Sequence, residues 1–179
     1  MNREVALARL LRQNGGAPVE DGFVRILEWN FDSPPYFVEI EHAGDGLPEW
    51  AASQGGLERI PLDTRLGIAA AVARAIAAAH ALDVLHKDLK PSNIMVSSST
   101  AGAPPAVRIG DLGSSSLLTP GQLDSLAITD LALASEGSGG HPQMLAGTIL
   151  YSAPEVLAGQ PPSRASDVYA MGLLLYQLA

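Results

Sequence analysis

The segment His86-Lys87-Asp88-Leu89-Lys90-Pro91-Ser92-Asn93 constrains this chain more than any other. It lies between strand-like runs at 83–86 and 94–96, so it is expected to be a loop carried on a rigid support. In one short stretch it gathers a carboxylate, an ammonium and a carboxamide. A further strand-like run at 107–110 leads into Asp111-Leu112-Gly113. That puts a second carboxylate at a strand end, and the glycine lets the backbone turn sharply away.

Those residue types suit transfer of a phosphoryl group. A carboxylate receives the hydroxyl proton, a cation offsets charge on the moving group, and oxygen ligands hold Mg²⁺. The side chains must then converge on one point. Taken singly, each has a plainer explanation. Asp88 and Asn93 belong to turn-forming types, Asp111 suits a strand-end Asx turn, and a lone His86 is most often a satisfied core histidine. Asp88, Lys90, Asn93 and Asp111 together favour a site.

Composition narrows the rest. With 179 residues, 47% hydrophobic and 17% charged, a globular domain with a sizeable core is expected, not disorder. The net charge of −8 argues against a general nucleic-acid or anionic-membrane binder, which needs a basic face. Cysteine is absent, which excludes a disulfide framework, a thiolate nucleophile and a Cys-based zinc site, and a cytoplasmic location is expected. The start, Met1-Asn2-Arg3-Glu4, runs into an amphipathic helix and does not read as a signal peptide. The Ala-rich stretch 68–82 carries Arg74, and the apolar end Val168–Ala179 is shorter than the roughly 20 residues that span a bilayer, so no membrane helix is expected.

Periodicity predicts a helix over 3–12, stopped by Asn14-Gly15-Gly16 and Pro18. Strands are expected at Phe23–Trp29 and Tyr36–Glu41 around an Asp-Ser-Pro-Pro turn, then a flexible break at Ala43-Gly44-Asp45-Gly46 and a short helix near Leu47–Ala52. The clearest helix is 62–81, with an apolar stripe of Leu66, Ala69, Ala73, Ile76, Ala77 and His80. A surface loop is expected at 97–105, and a long Gly- and Ser-rich stretch at 111–153 holds one short helix over 122–134. The final helix, 167–179, is apolar nearly all round, which implies burial on all sides.

Two more segments complete the pattern: Gly147-Thr148-Ile149-Leu150-Tyr151-Ser152-Ala153-Pro154-Glu155, then Ser166-Asp167-Val168-Tyr169-Ala170-Met171-Gly172. In this order the four segments resemble the catalytic loop, metal-binding triplet, activation-segment end and following helix of eukaryotic-type (Hanks-type) serine/threonine protein kinases. The resemblance runs from residue 3 to 179 and implies an α+β, protein kinase-like fold. Residues 1–42 would be a partial N-lobe of one helix, two strands and the hinge, and 43–179 a partial, mostly helical C-lobe. It implies ATP and Mg²⁺ as cofactors and a protein with a Ser or Thr acceptor as substrate. On the same basis Asp88 resembles the catalytic base and Lys90 the phosphate-contacting lysine of Ser/Thr kinases. Asn93 and Asp111 resemble the Mg²⁺ ligands, and Glu41 to Ala43 the adenine-binding hinge, with Ile40 as gatekeeper. Glu4 resembles the helix glutamate that pairs with a strand lysine, Asp167 the aspartate that braces the loop, and Glu155 the anchor of the activation segment.

The chain departs from that pattern at Lys87, where Arg is usual and would clamp a phosphorylated loop with a planar fork. Leu112 stands for Phe, and Ala8 for a larger apolar residue, which is expected to underfill the stacked apolar spine. Only three residues precede Glu4, so a glycine-rich loop and its lysine are expected from neighbouring sequence or another chain. By the same reasoning the isolated chain is expected to turn over little, to be poorly stable or to associate, and to expose an apolar patch on its last helix. Two rivals stand beside this reading: a pseudokinase-like binding module and a kinase-like small-molecule phosphotransferase. Thr119, Thr129, Ser135, Ser138 and Thr148 read as ordinary loop residues.

Overall fold

The computed structural model describes residues 3–98, 103–117 and 149–179. The expected helix over 122–134, Gly147 and the five hydroxyl residues just named lie outside the described residues.

Helix α1 (Arg3–Asn14) buries Val5, Ala6, Leu7 and Leu11 and turns its arginines outward. Glu4 in its first turn and Arg12 in its last both suit the helix dipole. It ends where Asn14 Nδ2 donates to the Leu10 carbonyl at 3.0 Å and the Gly15 N–H to the Leu11 carbonyl at 2.7 Å. Pro18 does not break the chain. It lies within a second short helix, α2 (Gly16–Glu20), close enough to the start that its missing N–H costs no helical bond.

Strands β1 (Ile26–Asn30) and β2 (Phe37–Ile40) form an antiparallel hairpin, with Trp29 opposite Val38 and Asn30 opposite Phe37. Phe23, expected in the first strand, instead makes a parallel bridge to Ile109. The expected break at 43–46 is partly ordered: β3 (Asp45–Gly46) pairs with Val96 and Met95. Gly44 allows this, with φ of +111° and room for no Cβ, which would lie 2.4 Å from the Val96 carbonyl oxygen.

Beyond α3 (Leu47–Ser53) comes the long helix α4 (Leu62–Ala81). Its buried face is Ile68, Ala69, Val72, Ala75, Ile76 and Ala79, so the expected stripe was turned partly out of phase. Leu66, Ala73 and Ala77 face solvent. Strand β4 (Val84–Leu85) pairs with β7 (Ser116–Leu117), while β5 (Ile94–Ser97) stands between β3 and β6 (Ala106–Ile109). Ile94 opposite Ile109 and Val96 opposite Val107 point one apolar face of that sheet into the core.

Helix α5 (Pro154–Leu157) is followed by α6 (Arg164–Leu178), which begins with a reciprocal Ser163–Ser166 capping box. Ala170, Leu174 and Leu178 pack on α4, and Arg65 ties the two helices by donating to the Ile60 carbonyl at 3.1 Å and the Leu178 carbonyl at 2.8 Å. α6 is not buried on all sides: Val168, Tyr169, Leu175 and Tyr176 are exposed, the last by 83%. One core joins Leu7, Leu11, Val19 and Phe23 to α4, the β5–β6 sheet and α6.

Leu174 and its neighbour Leu175 therefore separate core from surface. Leu174→Ala is expected to cost about 2–5 kcal/mol and Leu175→Ala less than about 0.5 kcal/mol, read from urea unfolding midpoints.

Candidate active site

Asp167, in the first turn of α6 and 2% exposed, organises the loop. Its Oδ2 accepts the His86 N–H at 2.9 Å and lies 2.8 Å from His80 Nε2, while Oδ1 accepts the Lys87 N–H at 2.8 Å. Burial alone would raise its pKa, but His80 and the two backbone N–H groups outweigh it and hold the carboxyl below its ordinary value. Lys87 sits at φ of +71°, a costly conformation for a side-chain-bearing residue. The bond from its N–H to Asp167 holds it there.

His86 is fully enclosed, at 1% exposure. Its Nε2–H donates to the Gly110 carbonyl at 3.1 Å, which leaves Nδ1 facing the Asp88 N–H at 3.4 Å. Burial pushes the imidazole pKa down, so the neutral ring that this pattern needs is the favoured one. His86 thus joins the loop to the strand end before Asp111.

Three loop side chains meet. Asp88 Oδ2 is 2.7 Å from Lys90 Nζ and accepts from Asn93 Nδ2 at 3.2 Å. Asn93 Nδ2 also donates to the Asp88 carbonyl at 2.8 Å. Asp88 Oδ1 and Asn93 Oδ1 accept no hydrogen bond among the described residues. Because Asn93 is only 7% exposed, its carboxamide oxygen is a buried acceptor left for something else. Lys87, Asp88 and Leu89 face Tyr151, Ser152 and Ala153 across a small cleft, which brings the Ala153-Pro154-Glu155 turn beside the loop. Tyr151 Oη donates to Gln177 Oε1 at 2.6 Å and fixes that turn to α6.

Asp111 follows β6 and is held near the loop by the Gly110 N–H, which donates to the Asn93 carbonyl at 2.8 Å. It adopts φ of +58°, with Oδ1 accepting the Gly113 N–H at 3.2 Å, so it also forms the strand-end turn expected of its residue type. Asp111 lines a cavity of about 560 Å³ with Glu4, Ile40, Glu41 and Ala43. Burial and then the nearby Asp111 charge raise the Glu4 pKa. Asp88, Lys90 and Asn93 do not line this cavity; they stand at the loop, linked to it through Gly110.

The Glu41 side chain is turned away from solvent into a pair of arginines. Arg25 Nε donates to Oε2 at 2.9 Å, the Arg25 N–H to Oε1 at 2.9 Å, and Arg108 Nη1 lies 3.3 Å from Oε1. Burial opposes ionisation, but the arginines lower the Glu41 pKa overall. Sequence reading missed this clamp, the His80–Asp167 contact and the cavity residues Val24, His42 and Met95. The signal for His80 was its place in the last turn of α4; for Met95, its place between inward-facing Ile94 and Val96.

The protein kinase domain family model matches residues 24–179. This chain belongs to that family. It is 33% identical over 144 residues to the serine/threonine-protein kinase PknK of Mycobacterium tuberculosis, covering 79% of this chain and 10% of that protein. It is 29% identical over 149 residues to the serine/threonine-protein kinase mos of Patiria pectinifera, covering 83% of this chain and 37% of that protein. The serine/threonine-protein kinase PkaB of Streptomyces coelicolor is 32% identical over 123 residues, covering 67% of this chain and 26% of that protein. The chain thus spans from a tenth to a little over a third of the length of these relatives. The mixed helices and small sheets are those of a protein kinase-like, α+β fold.

Within this kinase domain, Leu112 is buried in the core as its apolar type requires, and Ala8 lines a second cavity beside α1. Glu155 makes no side-chain hydrogen bond or ion pair among the described residues. No group of three or more His, Asp or Glu suited to a metal occurs among the described residues, so any ion here would need a carboxamide oxygen or a bound phosphate as well. No helix there is long and apolar enough to cross a membrane.

Acid should weaken the fold in two stages. The unfolded chain protonates His86 near 6.5 and the folded one resists, so stability falls as pH drops below 6.5. The Asp167 contribution is complete above 3.8 and is lost as pH falls through the depressed native value. Urea midpoints measured against pH are expected to show both stages, and His86→Gln to remove the first.

Proposed function

We propose that this chain serves as a serine/threonine protein kinase domain, transferring the γ-phosphate of ATP to a Ser or Thr hydroxyl of a protein substrate with Mg²⁺. What carries this reading is the Asp88 carboxylate. Lys90 and Asn93 hold its Oδ2, and Oδ1 remains an acceptor beside the loop. That oxygen would orient the substrate hydroxyl and take its proton, while Lys90 offsets charge on the transferred group. Asn93 Oδ1 and the Asp111 carboxylate are the hard oxygen donors that suit Mg²⁺. When bound, the ion supplies neutralisation of the triphosphate charge. Ile40, Glu41 and Ala43 would form the gatekeeper and hinge against adenine, in the cavity of about 560 Å³ that they line with Asp111. Residues 1–42 would be the N-lobe portion and 43–179 the C-lobe portion.

Asp167 acts here as a positioning residue: it fixes the loop backbone on either side of the His86–Lys87 peptide and touches no substrate. The printed names of the relatives support Ser/Thr as the acceptor class, as does Lys90.

Titration with ATP, with and without Mg²⁺, tests the reading. Asn93→Ala and Asp111→Ala are each expected to weaken Mg²⁺-dependent nucleotide binding by about tenfold or more. Asp88→Ala should leave binding nearly unchanged and lower phosphate transfer by the whole protein by about 10²–10⁴-fold. Binding without transfer would favour a module acting by contact. Absence of Mg²⁺-dependent binding overturns the proposal.

A further inference from the structure

The second cavity, of about 620 Å³, lies between α1 and β1 and shares Val24, Ile26 and Leu112 with the candidate nucleotide cleft. Its floor is apolar, from Val5, Leu11 and Phe23, and small Ala8 leaves it deep. Its charge runs against the rest of the molecule. The wall carries Arg9, Arg12, Arg25 and Arg108, four of the 11 basic residues in a chain of net charge −8. Only Glu20 and Asp21 oppose them on the same wall.

These arginines differ in what they do. Arg25 and Arg108 are directed at Glu41. The Arg9 guanidinium lies 4.2 Å from the centre of the Trp29 ring, which also lines the cavity. Arg12 makes no ion pair or hydrogen bond among the described residues and is exposed on α1. An apolar floor under a guanidinium rim selects two chemistries at once. Bulky apolar side chains fill the floor, and carboxylates meet planar forks that suit them bidentately.

We propose that this cavity is a docking site for a peptide segment of a partner protein in which bulky apolar residues alternate with acidic ones. Nucleic acid and anionic membranes fit worse. Both present extended negative charge to a molecule whose overall charge is negative, whereas a short acidic peptide meets only the local arginines.

The probe is a capped synthetic peptide alternating Phe or Leu with Asp, titrated calorimetrically into the chain. Trp29 emission is followed in parallel in the Trp50→Phe variant, where Trp29 is the one remaining tryptophan of two. Saturable binding with a Trp29 shift is expected, weakened by added salt and by about tenfold or more in Arg12→Glu. The same peptide with Lys in place of Asp should not bind. Binding should be indifferent to Asp88→Ala, so its failure is separable from failure of the kinase reading. No saturable binding, equal binding of the Lys peptide, or an affinity unchanged by Arg12→Glu overturns the proposal. So does tighter binding of an oligonucleotide or anionic vesicle at the same wall.

Discussion

A single dehydrated carboxylate holds the arrangement together. Asp167 brings a negative charge to the start of α6, where the helix dipole favours it, and spends both oxygens on groups of another segment. Two successive N–H groups of the loop are fixed at once, so the peptide between His86 and Lys87 has no freedom to rotate. The strained φ of Lys87 follows from this, and so does the direction in which Asp88 leaves the backbone. His86 then carries the constraint onward to Gly110, one residue before Asp111. Helix, loop and strand end are therefore one hydrogen-bonded unit, with few orphan polar groups to cost stability.

That unit explains why the charged side chains sit where they do. Asp88 and Lys90 satisfy each other within the loop, while Asp111 and Glu4 share a cavity wall with no such mutual relief. The raised pKa of Glu4 records both its burial and the like charge. A triphosphate entering that cavity would meet negative charge unless a cation lay between. The acidic wall and a metal-dependent nucleotide belong to the same argument.

The polar loop was legible in the sequence because its residues are unlike their neighbours: a carboxylate, an ammonium and an amide packed between apolar strand runs leave few readings. The phase of α4 was less legible. Alanine fits a buried or an exposed position with little difference in cost, so a stripe drawn through Ala69, Ala73 and Ala77 looks as good as the true one through Ala69, Val72 and Ala79. β3 was hidden because two residues of pairing leave no periodicity to read, and the glycines around them signal freedom more loudly than contact. Glu41 shows a different limit. Its hinge position follows from chain order, but the arginines that clamp it come from residues 25 and 108, a long-range pairing that no local pattern announces.

Arg108 shows what such a pairing does. Its Nη1 donates to the Glu20 carbonyl at 3.0 Å and lies 3.3 Å from Glu41 Oε1, so one guanidinium spans from the end of α2 to the strand that lines the cleft. The planar fork matters here, since a lysine ammonium at the same place would be a point charge on a flexible stem. With Val24, Ile26 and Leu112 serving both cavities, the helices α1 and α2 cannot shift without disturbing the wall that Asp111 and Glu41 share. A ligand seated between α1 and β1 would thus act on rigid, already connected parts, and its effect on the cleft would be carried by packing and this one charge.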